Sequence, residues 1–133
     1  MSKFVLEEIN DVNGEVEFFK ILEDGTCYWN DFCIEIETKT NWGEELDQLK
    51  ARMDDVSNRL ILPKEKFRKY KGFDDTYEVK TRNLRAYLLL DENGYVLINA
   101  SKKSDQEKGI NKYKAIITRY LQEKQNVKSK DLK

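Results

Sequence analysis

Between residues 76 and 103 apolar and polar side chains alternate in three short runs, TYEVKTRNLRAYLLLDENGYVLINASKK. Successive side chains of a strand face opposite ways, so Tyr77 and Val79 share one side and Glu78 and Lys80 the other. In the second run Leu84, Ala86, Leu88 and Leu90 share a face, and Arg85, Tyr87 and Leu89 take the reverse. Asp91-Glu92-Asn93-Gly94 has the composition of a hairpin loop, its Asn-Gly pair supplying positive φ. Pairing Leu90 with Tyr95 sets Tyr87 opposite Ile98 and Arg85 opposite Ala100. Lys102 and Lys103 then arrive at the sheet end that holds Lys80, Arg82 and Arg85. The pattern predicts a three-stranded meander whose five cations converge beside Tyr87, which is about what a phosphodiester site needs.

The flanking sequence predicts the remaining elements. Residues 1–14 are acidic and end in the turn signal Asn13-Gly14. Residues 16–22 read as a strand, Glu23-Asp24-Gly25 as a turn, and residues 26–37 as the returning strand, interrupted by a bulge or turn at Asn30-Asp31. In that return Phe32, Ile34 and Ile36 alternate with Cys33, Glu35 and Glu37. Tyr28, Trp29 and Phe32 have the makings of a base-stacking platform, but acidic neighbours favour a core or partner-facing role. Trp42, Leu46, Leu49, Met53, Val56 and Leu60 recur at helical spacing, behind an Asn41/Glu44 pair at capping-box distance. Pro63 ends that helix or opens the next, a short basic helix over 64–71 that stops at Gly72. Ser104 and Glu107 form a better capping box. They open a final helix carrying Ile110, Tyr113, Ile117, Tyr120 and Leu121 on one side. Gly109 weakens its first turns by about 1 kcal/mol relative to alanine. Residues 125–133 are polar and are expected to be a disordered tail.

Composition narrows the function. The chain of 133 residues has the size of one domain, here 1–124 with residues 1–40 as a hairpin extension. Charged residues make up 37% of it, and its mean hydropathy is −0.79. There is no apolar run long enough to span a membrane and no signal-peptide segment, so a cytoplasmic location without membrane contact is expected. Cys27 and Cys33 read as buried small hydrophobes rather than a disulfide or metal pair. Histidine is absent, which rules out a Ser-His-Asp triad, a His-ligated zinc and a His general base. Residues 1–63 hold 6 basic and 15 acidic side chains, residues 64–133 hold 18 and 10. The basic half suggests a polyanion partner, unless the two halves simply neutralise each other. With no Walker loop, dinucleotide fingerprint, zinc spacing or calcium loop, no cofactor or metal is expected.

Two helices, then Tyr77-Glu78-Val79-Lys80-Thr81-Arg82 opening an antiparallel meander, resemble the RelE/ParE superfamily of bacterial toxins. Leu84-Arg85-Ala86-Tyr87 is similar to that family's central-strand arginine segment. Ser101-Lys102-Lys103 before a capped helix resembles the basic pair of the HigB-like branch. The resemblance covers about residues 42–122. It implies an α+β fold, a helix hairpin packed on an antiparallel sheet, here with an added N-terminal β-hairpin and a C-terminal helix. It also implies a toxin of a type II toxin–antitoxin system: a metal-independent endoribonuclease that cuts mRNA on the ribosome and is held by a cognate antitoxin. By position Lys80 matches a catalytic or RNA-binding basic residue, Arg85 the arginine that supports the phosphate, and Lys102 and Lys103 the terminal basic pair. The family's following tyrosine is not at its matching place near Lys108-Gly109. Tyr113 stands one turn further on, where it also belongs to the apolar stripe. Two rivals share the fold: a ParE-like gyrase poison without nuclease activity, and an inactive interaction module.

The chemistry stands apart from the resemblance. Cleavage of RNA by its own 2′-hydroxyl needs a base for that hydroxyl, cations on the non-bridging oxygens and an acid for the 5′-oxygen. Lysine and arginine supply charge where it develops, and a lysine among other cations has a lowered pKa and can serve as base. The expected roles are Lys80 or Lys103 for proton transfer and Arg82 and Arg85 for the phosphorane. Lys102, Tyr87 and Tyr113 are the expected RNA contacts.

Overall fold

The computed structural model describes residues 2–9, 12–70 and 72–131. Two strands, β1 (Phe4–Glu8) and β2 (Phe18–Glu23), precede two helices, α1 (Tyr28–Lys39) and α2 (Gly43–Ser57). Four strands follow, β3 (Phe67–Lys69), β4 (Thr76–Lys80), β5 (Leu84–Asp91) and β6 (Gly94–Lys102). A 3-10 turn at Lys103–Asp105 leads into α3 (Gln106–Asp131). The fold is α+β, as expected, but its six-stranded sheet is mixed: the order is β1-β2-β6-β5-β4-β3, and β2 runs parallel to β6.

Side-chain parity divides the core between the two faces of this sheet. Val79, Leu84, Ala86, Leu88 and Leu97 pack under α1 and α2, while Tyr87, Leu89, Val96 and Ile98 pack under α3. The helix stripe behaves as its spacing predicts, with Leu46, Leu49, Met53 and Val56 buried. Leu60 lies beyond the helix and is exposed. The expected Asn41/Glu44 box does not form, because Trp42 takes the N-cap position and no side chain caps the helix.

Three expectations for the first 71 residues are corrected. The turn at Asp24 (φ 51) and Gly25 (φ 84) forms, and Glu23 and Thr26 exchange both backbone bonds at 2.8 and 2.9 Å. The returning strand ends there and α1 begins at Tyr28. Trp29, Phe32 and Ile36 are its buried residues, at helical rather than alternate spacing, and Ile34 is 60% exposed. The hairpin partner of β2 is therefore the acidic strand β1, with Phe4 opposite Glu23 and Glu8 opposite Phe19. The basic helix over 64–71 is also replaced. Lys66 and Phe67 both donate to Pro63 O, at 2.9 and 3.1 Å, which makes one helical turn before β3 opens (residue 71 lies outside the described residues). The helix pair is thus α1 with α2.

The last helix extends further than expected, to Asp131, through most of the stretch predicted as a disordered tail (residues 132 and 133 lie outside the described residues). Ser104, expected to cap the helix, lies inside the 3-10 turn, two residues before α3 begins. Gly109 has a packing role. A Cβ there would lie 2.6 Å from Ser101 Oγ and 2.7 Å from Ser101 Cβ, so α3 approaches β6 more closely than any side chain permits. Gly109→Ala should therefore lower stability by roughly 1–3 kcal/mol despite alanine's better helix propensity, as measured by chemical denaturation.

Glu23 ties three elements together. It is 6% exposed and accepts from Arg119 Nε at 2.6 Å and Nη2 at 2.8 Å, and from Tyr28 Oη at 2.7 Å. The Arg119 bonds outweigh burial and hold its carboxyl down at about 2, against 4.5 for an ordinary glutamate. A depressed carboxylate pKa contributes stability above the unfolded value and loses it as pH falls through the folded one. Glu23→Gln should cost about 2–3 kcal/mol at neutral pH. Its melting temperature should converge with that of the parent as pH drops from about 4.5 to about 2.

Candidate functional site

The turn between β4 and β5 is built before it is charged. Glu45 in the first turn of α2 accepts from Thr81 Oγ1 at 2.5 Å, Asn83 N at 2.7 Å and Asn83 Nδ2 at 2.9 Å. Burial works to raise the Glu45 pKa, but these bonds win and hold it below the ordinary value. Arg52 of α2 donates to Lys80 O. The end of β4 and the start of β5 are thereby fixed from below, and Lys80 and Arg85 stand as cross-strand partners. Both belong to the α3 side of the sheet, the parity of Tyr87.

Burial and charge give these two cations different characters. Arg85 is 7% exposed and its Nη1 donates to the Thr81 and Leu84 carbonyls. Its Nε finds no partner among the described residues. The guanidinium is folded back to hold the turn. Lys80 is half-buried. Burial lowers its pKa first and the Arg68 guanidinium next, with Arg85 adding to the effect against Glu78 and Glu65. The amine is depressed first by burial, with Arg68 and Arg85 adding to it, rather than by the five clustered cations that were expected to produce the shift.

Arg68 is the residue the sequence reading missed. It is a cross-strand neighbour of Glu78, and its Nε lies 2.6 Å from Glu78 Oε1. The Glu78 side chain is wholly buried and its Oε2 has no partner among the described residues. Strand parity in KFRKY would have placed Arg68 beside Lys80; assigning that stretch to a helix concealed it.

No family model, curated protein or solved structure matches the chain.

The expected convergence of five cations is only partly present. The β5–β6 register starts as predicted, with Leu90 opposite Tyr95, but a bulge between the Leu88–Leu97 and Tyr87–Asn99 pairs moves the rest by one residue. Tyr87 faces Asn99 rather than Ile98, and Arg85 faces Ser101 rather than Ala100. One inserted residue reverses the facing of everything beyond it. Lys102 consequently points to the α1 side, where its Nζ lies 3.4 Å from Glu35 Oε2. Arg82 is exposed on the turn. Lys103 is exposed in the 3-10 turn, and its amide donates to Asn83 O at 2.7 Å. Lys80, Arg82, Arg85 and Lys103 thus share one sheet end with Arg68, and Lys102 leaves it by the opposite face.

Both tyrosines expected to contact RNA are core residues. Tyr87 and Tyr113 are fully buried and stacked, with ring centroids 5.1 Å apart. The Tyr87 hydroxyl lies 2.8 Å from Ser101 Oγ, and Tyr113 Oη donates to Leu88 O. Burial pushes the Tyr87 phenol up to about 12 and raises that of Tyr113 further. Cys27 and Cys33 are free thiols, the first buried and the second half-buried.

Proposed function

We propose that the chain is the toxin of a type II toxin–antitoxin system, a metal-independent endoribonuclease that cleaves mRNA on the ribosome and inhibits translation. The observation that carries this reading is Lys80, whose amine is depressed by burial and by Arg68 and which pairs across the strands with Arg85. A neutral amine at that place takes the 2′-hydroxyl proton. Exposed cations of the same rim, Arg68, Arg82 and Lys103, draw in the phosphate and offset the charge of the phosphorane. Lys103 is the acid for the 5′-oxygen. Arg85 has a positioning role, since its Nη1 is committed to the turn that carries Lys80. The order of two helices, an antiparallel meander and a C-terminal helix supports the RelE/ParE-like reading. A small cognate antitoxin encoded beside the chain belongs to the same proposal.

Specific observations favour a second reading, an interaction module of the same architecture without the chemistry. Arg85, Tyr87 and Tyr113 are buried, and Lys102 is held by Glu35. Purified protein on programmed ribosomes, with a chelator present, separates the possibilities. Codon-boundary cuts that vanish in Lys80→Met support the nuclease. Gyrase inhibition without RNA cuts supports a ParE-like poison, and absence of both supports the binding module.

A further inference from the structure

We propose that the outer edge of β6, in the groove between α1 and α3, docks an extended peptide of another protein by strand addition and selects a strand whose side chains alternate basic and acidic. This does not depend on the nuclease reading. β2 accompanies β6 only from Phe18 to Lys20, opposite Tyr95 to Leu97. Its remaining residues pair with β1, Ile21 with Leu6 and Glu23 with Phe4. From Ile98 to Lys102, β6 therefore has a strand neighbour on the β5 side alone among the described residues.

The ladder fixes which backbone groups face this open edge. The Lys103 amide donates to Asn83 O, and hydrogen-bonded pairs of an antiparallel ladder recur at every second residue. Ser101 and Asn99 then face β5, as partners of Arg85 and Tyr87. Ala100 and Lys102 face outward. Two amides spaced roughly 7 Å apart, with the Ala100 carbonyl between them, are the groups an added strand pairs with. A groove of about 320 Å³ runs along them.

The walls of the groove select the occupant. Asp31 and Glu35 line it from α1, Lys108 and Lys112 from α3. Alternate side chains of an inserted strand point to opposite faces, so a basic residue meets Asp31 on the α1 side, where Glu35 is already paired with Lys102, and the next, acidic residue meets Lys108 and Lys112. A polyanion such as RNA is disfavoured by the carboxylates, Asp105 included. A second observation points to a missing partner on the α3 side. Asn99 is 2% exposed and lines the groove. Its Nδ2 donates to Gly109 O at 3.1 Å, while its Oδ1 has no donor among the described residues.

The test titrates an acetylated hexapeptide of alternating lysine and glutamate into the isotope-labelled full chain, followed by amide resonances and their exchange with solvent. The expected result is shifted, slowed amides at Ala100 and Lys102, with binding about tenfold tighter than for a peptide of the same composition in two blocks. Lys112→Glu should weaken it by about tenfold, Lys80→Met should leave it unchanged, and methylating alternate peptide amides should abolish it. Equal binding of the block or methylated peptide overturns the proposal, as do shifts confined to other residues. Competition by oligouridylate at the same amides would make the groove an anion site. Concentration-dependent shifts without peptide would make its occupant a second copy of the chain. Either result also overturns the proposal.

Discussion

Lys80→Met is expected to lower single-turnover cleavage of ribosome-bound mRNA by about 10²–10³-fold while leaving the melting temperature equal or higher. The two parts have one cause. Burial and Arg68 disfavour the charged amine, so the folded chain binds fewer protons at Lys80 than the unfolded chain does. Stability then rises with pH through the depressed pKa, and below that pKa the half-buried ammonium is a burden that methionine relieves. The same depression makes the amine a base. The parent rate should climb with pH and level off below 10.5, the ordinary lysine value, whereas Lys80→Arg should show neither the rate nor the plateau. A variant that loses activity and stability together would mean that Lys80 holds the turn instead.

Arg68→Ala should destabilise the fold by about 3–5 kcal/mol, a fall in melting temperature of roughly 10–20 °C for a chain of this size. Its guanidinium is about half exposed, but the carboxylate it neutralises is not exposed at all, and one oxygen of that carboxylate is already without a partner. Removing the cation leaves the buried carboxylate without its hydrogen-bonded partner, with Lys80 as the remaining nearby cation. Adding Glu78→Gln to the alanine variant should recover about half of the loss or more, since the amide carries no charge to strand. If the double variant is no more stable than the single one, the packing of the Arg68 stem is the stabilising part.

The sequence was readable where one period served one face. Leu46, Leu49, Met53 and Val56 match a helix and no strand, and Leu84, Ala86 and Leu88 match a strand and no helix. Residues 28–39 fit both, because Phe32 and Ile36 satisfy alternation as well as helical spacing. Only Trp29 breaks the tie, and the local turn at Asp24-Gly25 pointed to a hairpin that ends after a single pair. The parallel pairing of β2 with β6 was not legible, since it joins residues 77 positions apart and leaves no local trace.

Charge type was legible in the candidate site, and facing was not. The sheet end that gathers Lys80, Arg82, Arg85 and Lys103 follows from turn positions alone. The bulge beside Ile98 has no glycine to announce it, so Lys102 was assigned to the wrong side. Tyr87 and Tyr113 each sat on a stripe compatible with core or with contact. Their burial came from α3 lying close over β6, an approach that depends on the missing side chain at Gly109.

Because, among the described residues, β1 and β2 join the sheet through β6, the order of synthesis matters to this molecule. The N-terminal hairpin emerges from the ribosome early but has no neighbour to dock on until residues 95–97 are made. Until then its inner edge is open, in the acidic half of the chain. Clustered carboxylates there would keep nascent copies apart until the basic half arrives to close the sheet.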